Sequence, residues 1–209
     1  MSKEVDVKPV DDRAETILHF WFGHAEQAAL PSTHRTWVWF SQDPVNDAEI
    51  KEKFLVDIEA AIAEKYKDWE ANPRGCLALV IILDQFPRNV FRNTPKAFEQ
   101  DRQAMDVCLR GIEHQHDHKL SLLERAFFYF PLMHSENLEM QNLSIRAFEM
   151  LLGLSFQETR PIFAKFLDYA IRHREIIARF GRFPHRNDTL GRISTDEERE
   201  FLKDTGNSF

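Results

Sequence analysis

Eight consecutive apolar residues, Cys76 to Leu83, constrain this chain more than any other stretch, and they stop abruptly at Asp84. A segment with no polar face must be covered on all sides, so it marks the centre of a core. Asp84, Gln85, Arg88 and Asn89 then cluster around Pro87, at the rim of that core, where a site is first sought. Pro73 suits the first turn of a helix and Pro87 its end, and the twelve residues from Gly75 to Phe86 exceed a typical strand. Val80, Ile81 and Ile82 keep a buried strand as the alternative.

The rest of the chain supplies the cover. Asp11 and Asp12 cap a helix through Phe22, with Ala14, Ile17, Leu18 and Trp21 on one side and Gly23 as the stop. Residues 33–40, T-H-R-T-W-V-W-F, predict a short helix with Trp37 and Phe40 inward, broken by Asp43-Pro44. Asp47 caps a long helix to about Tyr66, carried by Ile50, Phe54, Ile58 and Ala61. Thr94-Pro95 reads as a cap with its N1 proline, and Asp101 as the cap of a helix to Glu113. The loop H-Q-H-D-H follows, with His114, His116 and His118 facing water. Ser121 and Glu124 form a capping box for a helix running into Pro131, and Ser135 caps the next as far as Gly153. Phe163, Phe166, Ala170, His173, Ile177 and Phe180 then stripe a helix from Thr159 to Gly181. Thr195 and Glu198 make a second capping box, for a last helix ending at Gly206.

With 18 Phe and 4 Trp against 7 Gly, and no alternating strand pattern, the sequence predicts one all-α domain over residues 1–209, with 1–10 a flexible N-terminus. About eight to nine helices with short loops imply antiparallel hairpins stacked on one another. A net charge of −7 argues against a nucleic-acid partner, which requires a basic surface. No apolar run approaches the roughly 20 residues of a membrane span, and M-S-K-E-V-D-V-K-P-V lacks a signal-peptide core. Cys76 and Cys108 show no C-x-x-C or disulfide-framework spacing and read as reduced core thiols, so the expectation is a soluble cytoplasmic protein without a membrane partner.

Two further phrases carry chemistry. R-F-G-R-F-P-H-R-N holds Arg179, Arg182, His185, Arg186 and Asn187, and arginines present paired donors that match a carboxylate or phosphate. The bland reading is that Arg179 and Arg182 neutralise the end of the preceding helix. E-R-A-F-F-Y-F-P-L-M-H-S-E holds Glu124, Arg125, His134 and Glu136. Hairpin stacking predicts that these phrases meet the Asp84 rim, with a buried Asp84 to Arg186 or Arg182 pair as the structural reading. His134 and Glu136, with His173 or His185, are the best metal ligands on offer. No HExxH, paired ExxH or Cys/His framework accompanies them, so neither metal nor cofactor is expected. His173, on an apolar stripe, reads as a hydrogen-bonded core histidine.

H-F-W-F-G (19–23), W-V-W-F (37–40), L-D-Q-F-P-R-N (83–89), the 124–136 phrase, H-R-E-I-I-A-R-F-G-R-F-P-H-R-N (173–187) and L-G-R-I-S-T (190–195) together resemble one family. It is the bacterial and fungal family known as domain of unknown function 924, and the resemblance runs over nearly the whole chain. It implies an all-helical, tetratricopeptide-repeat-like array and no established activity. The family phrase places an acid where this chain has Met133, which weakens any metal or proton-transfer role built on that acid.

The expected function is a binding module whose polar pocket holds an acidic small molecule or peptide carboxylate. The pocket is rimmed by Asp84, Gln85, Arg88, Asn89, Arg125, His134, Glu136, Arg179, Arg182, His185, Arg186 and Asn187. One alternative is a small-molecule enzyme of hydrolase or isomerase type, with its acid/base chemistry on His134, Glu136, His185 or Asp84. The other is that the polar clusters only lock helix ends together.

Overall fold

The Cys76 to Leu83 run is helical and every residue in it is buried. The strand alternative for Val80 to Ile82 therefore falls. The computed structural model describes residues 10–23 and 38–203, so Trp37 and Gly206 lie outside the described residues. These contain nine α-helices and no strand: α1 (Asp12–Phe22), α2 (Pro44–Ile62), α3 (Pro73–Val80), α4 (Phe86–Val90), α5 (Asp101–Glu113), α6 (Leu122–His134), α7 (Leu138–Leu154), α8 (Arg160–Phe180) and α9 (Asp196–Phe201). Helix α3 packs against α1, α5, α6 and the short 3₁₀ turn Lys67–Ala71, which together supply the cover that its composition demands. The pairs α5/α6, α6/α7 and α7/α8 pack through short connections as hairpins.

Pro87 does not end the central helix. A π-helical turn, Ile81–Gln85, joins α3 to α4, with the Phe86 amide donating to the Ile81 carbonyl five residues back. A proline inside an α-helix clashes with the carbonyl four residues earlier and lacks the donor for it. A widened turn just before Pro87 relieves that conflict, and the helix runs on to Val90. Pro131 is likewise absorbed within α6, which continues one turn further to His134.

An acid at a helix start serves either the helix or a distant cation, and the caps expected at Asp47 and Asp101 shift for that reason. Asp43, read as part of a break, caps α2 four residues before the expected cap, Asp47, and Pro44 takes N1. Asp47 is thereby free to accept from Asn89 Nδ2 at 2.8 Å and from Arg92 at 2.7 and 2.8 Å. Asp101 lies inside the first turn of α5 instead of capping it. Asn137, not Ser135, caps α7. The Asp11 cap, the capping boxes at Ser121 and Thr195 and the left-handed Gly181 at the end of α8 match expectation.

Edge-on aromatic pairs hold the centre together, including Trp21 with Phe127 at 5.8 Å and Trp21 with Phe86 at 5.6 Å. Trp39 is buried and donates from Nε1 to the Trp21 carbonyl at 2.9 Å. Phe40, expected inward, is 48% exposed. No described helix is long and apolar enough to cross a membrane.

Candidate functional site

The π-turn directs Asp84 into the protein, where its side chain has no exposed surface. Its carboxylate accepts from Gln85 Nε2 at 2.5 Å, Arg88 Nη2 at 3.1 Å and His134 Nδ1, which lies 2.8 and 2.9 Å from the two oxygens. His134 arrives from the last turn of α6, the turn beyond Pro131, and 17% of its side chain is exposed. Nε2 has no hydrogen-bond partner among the described residues.

A second acid completes the cluster. Asp101 accepts from Arg88 Nη2 at 2.7 Å and from Arg186 Nη1 at 3.0 Å. Arg186 also donates to the His134 carbonyl at 3.1 Å, so the 3₁₀ turn Pro184–Arg186 is tied to the end of α6. Phe98 lies against both cations, 4.7 Å from Arg186 and 5.5 Å from Arg88, a cation–π arrangement that lessens the cost of burying them. His173 stands beside His134, with ring centroids 6.4 Å apart, and donates from Nδ1 to the Tyr169 carbonyl at 2.7 Å. His185 lies nearby across Phe183.

The charges on these groups follow from their surroundings. Burial opposes a charge on Asp84, but His134, Arg88 and Gln85 outweigh it and hold the carboxyl well below the usual carboxylate range. Burial and then Arg88 lower His134 from the ordinary histidine value, against the pull of Asp84. One state satisfies both directions: Asp84 is ionised and His134 is neutral, with its proton on Nδ1. Arg88 and Arg186 then balance Asp84 and Asp101 without a further proton. Burial and the neighbouring Arg88 bring Arg186 down to about 10, so it stays charged near neutral pH. Burial, with His134, pushes His173 down to about 3, and burial with Arg186 pushes His185 down to about 4.

Of the residues singled out from sequence, Asp84, Gln85, Arg88, His134 and Arg186 form one connected network, with His185 alongside. The others separate. Asn89 serves Asp47. Arg125 lies nine residues before His134 on α6, about 13 Å along the helix axis, where it meets Tyr129 and Asp117. Arg182 is a bidentate partner of Glu198, at 2.6 and 2.8 Å, and pairs with neither Asp84 nor Asp101. Arg179 meets exposed Glu197. Asn187 joins Ser194, Glu198 and Arg192. Glu136 accepts from Arg192 and from the Phe183 amide, which fastens the 183–192 loop beside the site. His116, expected in water, is buried with Nε2 on the Glu70 carbonyl.

Asp101 and Arg192 were not foreseen. An acid at a helix start resembles a cap, and Arg192 follows the phrase that drew notice. Among the described residues no three His, Cys, Asp or Glu side chains converge as a metal site.

Comparison with known proteins adds family but not activity. The model of a family described as "Bacterial protein of unknown function (DUF924)" matches residues 17–206. A solved structure of a protein of unknown function, ATU0120 from Agrobacterium tumefaciens, shares 34% identity. It superposes with a TM-score of 0.75, covering 91% of this chain and 97% of its own. The search of curated proteins found no match.

Proposed function

Since the chain belongs to the DUF924 family of bacterial proteins, which brings no activity with it, we propose a function from the site: a small-molecule enzyme of hydrolase or isomerase type in which His134 is the general base and Asp84 orients it. One observation carries this reading. A fully buried carboxylate holds Nδ1 of a partly exposed histidine whose Nε2 has no hydrogen-bond partner among the described residues. A carboxylate that fixes the tautomer leaves the lone pair on Nε2 and stabilises the imidazolium formed when it takes a proton. A neutral resting imidazole is the state in which it can act.

The observed pairing supports the anion-binding reading less well. Arg88 and Arg186 share Asp101, Arg182 is taken by Glu198 and Arg179 by Glu197, so an acidic ligand must displace a resident acid. The locking reading keeps one specific support, the Arg186 bridge between Asp101 and the His134 carbonyl across 85 and 52 positions of chain. Free, buried Cys76 and Cys108 favour a reducing compartment, the cytoplasm.

The test is turnover on a panel of chromogenic esters, amides and phosphoesters plus ketone–enol proton exchange, comparing wild type with His134→Gln. General-base catalysis predicts a loss of roughly 100-fold or more in the variant. An activity that survives the substitution intact, or a wild-type protein inert across the panel, would transfer the cluster to the locking reading.

A further inference from the structure

We propose that Asp101 is a positioning residue for the Asp84–His134 couple: by holding the guanidinium groups of both Arg88 and Arg186, it leaves Asp84 free to serve His134. The inference rests on the proposed general-base role of His134, and it extends that role to an acid on α5 that bonds neither member of the couple.

Arg88 reaches two acids with a single nitrogen, Nη2, and lies closer to Asp101, at 2.7 Å, than to Asp84, at 3.1 Å. The other oxygen of Asp101 takes Arg186 at 3.0 Å, and Arg186 in turn holds the main chain of His134 itself. Asp101 is thus the joint between the cation beside the acid and the cation beside the base. Without it Asp84 is the one acid left on Arg88 Nη2, and the guanidinium competes with the imidazole for the same carboxylate. Arg186, whose side chain is only 7% exposed, becomes a buried cation with no acid at contact distance.

The charged and titratable groups around His134 are Asp84 and Arg88 from the central helix, Asp101 from α5, His173 from α8, His185 and Arg186 from the 3₁₀ turn, and Glu136, two residues on and paired with Arg192. Removing Asp101 turns a balanced set into one with an excess positive charge. A proton on His134 then becomes less favourable, and the imidazole becomes a weaker base.

The experiment is a pH titration of the imidazole signals of the full chain by NMR, with His134 assigned by loss of its signal in His134→Gln. In Asp101→Asn the proton affinity of His134 falls by at least about threefold, as expected when one of several close charges is removed. Asp101→Glu, which keeps the acid, recovers at least half of that loss. Arg186→Gln removes the cation instead and moves the midpoint up, and it carries the test if Asp101→Asn does not fold. An unchanged midpoint in a folded Asp101→Asn, or shifts of the same sign in Asp101→Asn and Arg186→Gln, overturns the proposal. The nitrogen shifts of native His134 report the parent reading separately. A proton on Nε2 instead of Nδ1 refutes the general-base geometry whatever Asp101 does to the midpoint.

Discussion

Replacing Asp84 with Ala probes the centre of the network most directly, and its cost can be worked from the geometry. Arg88 loses its 3.1 Å bond but keeps Asp101 at 2.7 Å, so that cation is not stranded. The Gln85 amide and the His134 Nδ1–H both lose their acceptor in a site that holds no exposed carboxylate surface. Each buried donor left unsatisfied costs about 1–3 kcal/mol, so two give about 4 kcal/mol as a central value. That falls within the range of about 3–5 kcal/mol for breaking a buried pair. Asp84→Asn retains one oxygen and loses roughly half as much. Urea unfolding followed by circular dichroism reads both values, and for a domain of this size about 4 kcal/mol corresponds to a fall in Tm of roughly 8–16 °C. A loss below about 1 kcal/mol in the Ala variant, or any gain, would refute the reasoning, because it would mean that these donors find other partners at no cost.

Acidification gives a second prediction. His173 and His185 titrate near 3 and 4 in the folded protein against an ordinary value of 6.5, so the unfolded chain binds the extra protons and stability falls as pH drops below about 6.5. By pH 5 each histidine costs about 2 kcal/mol, and His173→Gln should flatten the stability–pH curve by about that much in urea titrations at pH 7 and pH 5. At Gly111 an added Cβ meets Phe128 Cζ and lies 2.9 Å from Cys76 Sγ. Gly111→Ala therefore lowers stability by about 1–2 kcal/mol despite its better helix propensity, and a stabilised variant would contradict the packing of α5 on α3 and α6. Glu136→Gln weakens the grip on Arg192 and on the Phe183 amide. Proteolysis or hydrogen exchange within 183–192 should then quicken several-fold while exchange in the α3 core stays unchanged.

Much of the helical plan was legible in the sequence because it rests on local chemistry. The stripe on α8, the caps at Asp11, Ser121 and Thr195 and the Gly181 stop each depend on residues within one or two turns, and each appears where its pattern placed it. The misread boundaries at Pro87 and Pro131 are those where a tertiary requirement outweighed a local preference. Burial of the Cys76 to Leu83 segment and of Phe127 to Met133 favours carrying the helix through each proline, at the expense of backbone bonds that an isolated helix would not give up.

Sequence by itself determined the all-helical class, the buried centre and the neighbourhoods of Asp84, His134 and Arg186, since composition and 3.6-residue spacing are properties of short stretches. Only the tertiary structure decided how the charges pair. Asp84 finds His134 across 50 positions, Arg186 finds Asp101 across 85, and Arg182 goes instead to Glu198. Ion pairing depends on a few ångströms of separation and on exclusion of water, and both are set by how helices far apart in the chain come to rest on one another.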